Sequence, residues 1–118
     1  MEHIKTVIFP KNKNIVIFKV PITIEEGKRI SIKKCVEKSW RINEKRVLLS
    51  DILLAVDRDG IIQDIFTIIR IGKKDENNRK TVHVKQITDT KLRNHYIIKR
   101  IPVEYRTRVR YPILYNYS

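Results

Sequence analysis

The segment that most constrains the fold is residues 52–71, ILLAVDRDGIIQDIFTIIRI. Two apolar runs rich in β-branched residues flank the turn residues Asp57, Arg58, Asp59 and Gly60, which is the composition of a β-hairpin. The first run, ILLAV, has no polar interruption and fits a strand buried on both faces better than a five-residue helix. The second is long, with Asp64 and Arg70 as its charged exceptions. A hairpin of this kind belongs at the centre of a sheet.

The flanking segments supply the rest of that sheet. IKTVIF and IVIFKVP around PKNKN read as two strands about a turn, hence a second hairpin. VHVKQI and HYIIKRI read as further strands joined by the polar stretch TDTKLRN, which gives five or six strands in all. GKKDENNRKT is a solvated loop by composition. Thr23 followed by Glu26 matches a capping box, so a helix is expected from there, although Gly27 weakens its first turn. Ile32, Cys35, Val36 and Trp40 then share one face at helical spacing. The segment EYRTRVRY leaves two readings open. Glu104, Arg106, Arg108 and Arg110 alternate with Tyr105, Thr107, Val109 and Tyr111 as in a strand, whereas Pro102 suits the start of a short helix. If it is a strand, Arg106, Arg108 and Arg110 form a ladder of charge about 7 Å apart.

A chain of 118 residues builds one domain with one core. Its single cysteine, Cys35, excludes an intramolecular disulfide and a cysteine-rich zinc site, and a reducing, cytoplasmic setting is the expectation. No signal peptide or membrane span is legible. Gly27, Gly60 and Gly72 are isolated, so no phosphate-binding glycine loop and no nucleotide cofactor is indicated. His3, His83 and His95 lack the spacing of a metal or acid–base set, and no metal or other cofactor is expected. The formal charge of +13 and a pI of about 10.1 stand out. A compact domain with that excess repels itself unless an anion relieves it, which points to a polyanion such as RNA or DNA. An AT-rich coding sequence, which enriches Lys, Asn and Ile, accounts for the same bias without any partner.

The stretch KSWRINEKRVLLSDILLAVDRDGIIQDIF resembles the PUA-like superfamily, the group that includes the ASCH and EVE domains. The resemblance is closest to a small branch found alone or beside nuclease domains. It rests on Trp40, Arg41, Asn43, Arg46, Ala55, Val56, Gly60, Ile61 and Phe66, and near the C-terminus on Arg93, Pro112, Ile113, Tyr115 and Asn116. It implies an α+β fold, a twisted and partly closed β-barrel of about five or six strands with one main flanking helix. It also implies a cleft that in relatives receives RNA or an unusual base in DNA.

The candidate nucleic-acid-binding residues are Lys38, Trp40, Arg41, Asn43, Arg46, Arg93, Arg106, Arg108, Arg110, Tyr115 and Asn116. Trp40 is either a core anchor or a stacking platform at a cleft edge. The basic and amide side chains beside it offer phosphate and base-edge donors. Arginines interleaved with tyrosines near the C-terminus suit phosphate contacts and base stacking, or else form a solvated strand face. The reading favoured is a nucleic-acid-binding module with a cleft near Trp40. A small metal-independent ribonuclease and a basic viral or mobile-element adaptor are the alternatives.

Overall fold

The structure, a computed structural model, describes residues 4–21, 24–25, 28–29, 31–108 and 111–117. Its frame is a six-stranded mixed sheet of β1 (Ile15–Lys19), β4 (Ser39–Trp40), β5 (Ile52–Val56), β6 (Ile62–Lys74), β7 (Lys80–Gln86) and β8 (Ile113–Tyr115), in the order β4-β7-β6-β5-β1-β8. Two two-residue strands, β2 (Ile24–Glu25) and β3 (Lys28–Arg29), pair separately. The helices are short: α1 (Ile32–Val36), α2 (Glu44–Leu48), α3 (Thr90–Tyr96) and α4 (Val103–Arg106). They stand where one main flanking helix was expected.

The central hairpin forms as its sequence dictates. Asp57 Oδ1 accepts from the N–H groups of Asp59 and Ile61, and Gly60 takes a φ of +78°, a value glycine adopts without steric cost. β5 is buried at all five positions. Alternation divides the sheet into two cores. Ile15, Ile17, Ile52, Leu54 and Val56 pack on one face, while Val16, Phe18, Leu53 and Ala55 pack on the other. The register shifts between Ala55 and Val56. That bulge lets Ile62 and Ile65, an odd number of residues apart, join the same core, and it bends the strand. Arg100 bridges to both Ile61 and Thr6, which carries the sheet around the first core as a curled half-barrel.

Several local expectations give way to tertiary pairing. Residues 4–9 do not form a hairpin with β1. Instead β1 pairs in parallel with β5, Ile15 opposite Ile52 through Lys19 opposite Val56, and antiparallel with β8. Uninterrupted apolar runs are the mark of strands buried on both faces, and two such runs meet at the sheet centre. Where a helix was expected, Ile24–Glu25 and Lys28–Arg29 are paired as strands. Thr23, Glu26 and Gly27 themselves lie outside the described residues. α1 starts after Ser31, whose Oγ accepts from the Lys34 N–H. Trp40 belongs to β4 and not to the helix. Gly72, Lys73 and Lys74, expected in a loop, complete β6.

HYIIKRI is not a strand. Asp89 caps α3 by accepting from the Leu92 N–H, and Tyr96, one turn beyond Leu92, is fully buried. The chain then reverses through Tyr96–Lys99, closed by the Lys99 N–H donating to the Tyr96 carbonyl at 3.2 Å. Ile97 has φ −63° and ψ 136°, and Ile98 has φ +63°. These are the angles of a type II turn, whose third position favours glycine. A β-branched side chain there is strained by about 1–3 kcal/mol, and Ile98 is 70% exposed, so little burial offsets it. Ile98→Gly is therefore expected to raise the unfolding free energy by about 1 kcal/mol, after the entropic cost of glycine, in urea denaturation.

Candidate functional site

Six of the 13 acidic side chains serve the backbone. Asp51, Asp57, Asp64, Asp75, Asp89 and Glu37 each accept from main-chain N–H groups. Among the described residues only two ion pairs form, Lys80 with Glu44 at 3.1 Å and Arg93 with Asp64 at 2.8 Å. Ion pairing among the described residues thus engages only a few of the basic side chains.

Four of the eleven predicted site residues, Trp40, Asn43, Arg93 and Asn116, have partners within the fold. Trp40 is 9% exposed, meets Phe18 edge-on with centroids 5.0 Å apart, and donates its Nε1–H to the Val36 carbonyl at 2.8 Å. It is a core anchor, and the clefts described below are lined by other residues. Asn43 caps α2 by accepting from the Arg46 N–H. Asn116 accepts from the Ile15 N–H at 2.6 Å and donates to the Lys13 carbonyl at 3.0 Å, fastening β8 to β1. Arg93 donates to both Asp64 and the Ile87 carbonyl, so it secures the margin of β6 beside α3. Lys38 and Arg41 flank β4, at the far end of the strand order from β8, and both are exposed. The arginine ladder does not form, because Arg106 ends a helix begun by Pro102 and Arg108 follows it. Arg110 lies outside the described residues.

What the fold does bring together is Arg46, Arg108 and Tyr115, joined by Tyr105, Tyr111 and Tyr117. The Arg46 guanidinium carbon lies 3.9 Å from the Tyr115 ring centroid and 5.9 Å from that of Tyr117. Its Nη2 donates to the Tyr117 carbonyl at 2.7 Å, and the Tyr117 hydroxyl donates back to the Arg46 carbonyl at 2.5 Å. Reciprocal bonds of this kind fix the guanidinium plane against the edge strand. The Arg108 guanidinium carbon sits 5.9 Å from the Tyr105 ring centroid.

Two clefts share this wall. One, of about 310 Å³, is lined by Arg46, Arg108, Tyr105, Tyr115, Tyr117, Asn116 and one carboxylate, Glu104. The other, of about 320 Å³, adds Tyr111 and Ile113 to Arg46, Arg108 and Tyr115. Burial pushes the Tyr117 hydroxyl up to about 12, with Tyr115 and Asp51 adding to the shift and Arg46 opposing it. Burial likewise raises Tyr115 and Tyr105. Tyr105, Tyr115 and Tyr117 therefore stay neutral, and the charge of this cleft is that of Arg46 and Arg108 against Glu104.

Such an arrangement presents planar aromatic and guanidinium surfaces beside charged donors, which suits a flat, anionic ligand. His83 and His95 stand apart from these clefts, and His95 Nε2 donates to the Ile8 carbonyl at 2.9 Å. No group of three or more His, Cys, Asp or Glu side chains is gathered among the described residues. None of their helices is long and apolar enough to cross a membrane. Tyr111 and Tyr117 were missed as site residues, although their spacing about Tyr115 on a short C-terminal strand was the available signal. Compared with known proteins, the chain matches no family model, no curated sequence and no solved structure.

Proposed function

We propose that the chain is a nucleic-acid-binding domain of the PUA-like kind that its sequence resembles. It holds a single-stranded segment of RNA or DNA along β8, not beside Trp40. The observation that carries this reading is the Arg46 guanidinium over the Tyr115 ring, with Tyr117 edge-on to Tyr115 and with Arg108 and Tyr111 at the margin. Stacking accepts any base that is not already paired, and arginine adds phosphate contacts, so the cluster favours single strands over duplex. The basic excess of the sequence and the scarcity of ion pairs among the described residues support a polyanionic partner. The curled sheet supports the PUA-like resemblance.

Fluorescence anisotropy with labelled single-stranded RNA, single-stranded DNA and duplex DNA tests it. The single strands should bind more tightly than the duplex. Tyr111, 61% exposed, can be removed without disturbing the core. Tyr111→Ala should weaken binding by about 1–3 kcal/mol, the worth of one stacked base. No binding at low salt, or indifference to this substitution, overturns the proposal. Shortening of the RNA during the titration would instead favour a ribonuclease.

A further inference from the structure

α4 also faces a second cationic cavity. Where Arg108 and Tyr105 line the tyrosine clefts, Arg106 turns to a separate hollow of about 330 Å³ between the end of β1 and the β5–β6 turn. Lys19, Arg58 and Arg106 bring its positive charge, and Val20, Pro21 and Ile101 give it an apolar wall. The Arg106 stem runs directly over Gly60: a Cβ on that residue would lie 2.8 Å from Arg106 Cγ and 3.1 Å from Cδ. Nε, one bond beyond Cδ, is buried and has no hydrogen-bond partner. Lys19 Nζ spends one N–H on the Arg108 carbonyl at 2.5 Å, which leaves two. Burial lowers its pKa, the sign of a cation short of solvation.

One carboxylate, Asp57, lines the same cavity, but its oxygens are engaged by the Asp59 and Ile61 N–H groups and by Gln63 Nε2. Asp59 borders the adjoining hollow instead. The lining thus carries three positive charges and one negative, a net of two. A phosphodiester, with a single charge, leaves half of this uncompensated, whereas a phosphate monoester carries about −1.5 to −2 at neutral pH.

We infer that this cavity is a phosphate-monoester site, with Arg106 and Lys19 as its principal donors and Arg58 at its mouth. The monoester is the terminal phosphate of a nucleic-acid strand or that of a free mononucleotide. That choice of carrier rests on the nucleic-acid reading, whereas the anion site rests on the cavity alone. Gly60 is required because the Arg106 stem occupies the space where any side chain would go.

Isothermal titration calorimetry at fixed ionic strength, on the full chain, tests the inference with two ligand pairs. One pair is a trinucleotide with and without a terminal phosphate, at either end; the other is adenosine monophosphate and adenosine. The phosphorylated member should bind at least about tenfold more tightly, as expected for charge-assisted hydrogen bonds from several donors at a partly enclosed site. Arg106→Met, which keeps the stem over Gly60, should erase that advantage, and so should Lys19→Met. Tyr111→Ala should leave it intact. An advantage confined to the mononucleotide pair supports the site while the strand reading fails. Equal affinities within both pairs, or an advantage that survives both methionine substitutions, overturn it. Arg58→Ala, at an exposed position, provides a variant with no folding cost and should reduce the advantage severalfold.

Discussion

Trp40→Ala is expected to lower the unfolding free energy by about 3–5 kcal/mol, the range for truncating a large buried aromatic residue. The indole fills the second core between Phe18 and α1, and only 9% of it reaches solvent. Its N–H also serves the Val36 carbonyl, one of the helix-end acceptors that α1 cannot satisfy internally. Alanine removes the packing and the donor together. Small domains have about 5–15 kcal/mol in total, so the variant stands near the threshold of folding. Trp40→Phe separates the two losses. It keeps most of the ring contact, leaves the Val36 carbonyl without its donor, and should cost about 1–3 kcal/mol. Urea denaturation followed by far-ultraviolet circular dichroism measures both. Folded Trp40→Phe should bind nucleic acid as the unaltered chain does, because the proposed interface lies along β8. Lost affinity in that variant would return the indole to the binding surface.

The same residue illustrates what the sequence could and could not reveal. Ile32, Cys35, Val36 and Trp40 do share one core, as their spacing predicts, yet the helix stops at Val36 and Trp40 rejoins the others from a strand. Spacing reports which side chains are buried together, not which backbone carries them. The central hairpin was legible because both strands and the Asp57–Gly60 turn are contiguous. The β1–β5 pairing was not, because ILLAV and IVIF announce burial without naming a partner, and parallel strands need a long crossover. α3 was hidden by the β-branched residues that follow it, although Asp89 carried the capping signal.

At the site, the residue types were legible and their meeting was not. Arg46 and Tyr117 are 71 positions apart and come together only once β8 lies against β1. Asn43, Arg93 and Asn116 have the chemistry of nucleic-acid contacts, and the fold uses that chemistry to satisfy its own backbone and its buried Asp64. Sequence cannot distinguish these uses, because the competing acceptors are distant residues.

Raising the salt concentration from about 50 to about 200 mM should weaken single-strand binding by about 20-fold, with a slope of log affinity against log salt of about −2. The figure follows from about three phosphates, two met by Arg46 and Arg108 in the clefts and one terminal phosphate held jointly by Lys19, Arg58 and Arg106 in the other cavity. Each phosphate they neutralise on a single strand contributes about −0.7 to the slope through release of condensed counterions. Arg108→Met should make the slope shallower by about 0.7 and weaken binding to all sequences alike. Tyr111→Ala should behave differently, reducing affinity at every salt concentration while leaving the slope unchanged, because stacking releases no counterions. The two variants together separate charge from stacking. A slope near zero would mean that these cations do not meet phosphates, and β8 would then be no nucleic-acid surface even if some binding persisted. A steep slope that neither variant alters would locate the contacts on other basic residues, and the Arg46–Tyr115 stack would be left with the structural task of fastening α2 to the sheet edge.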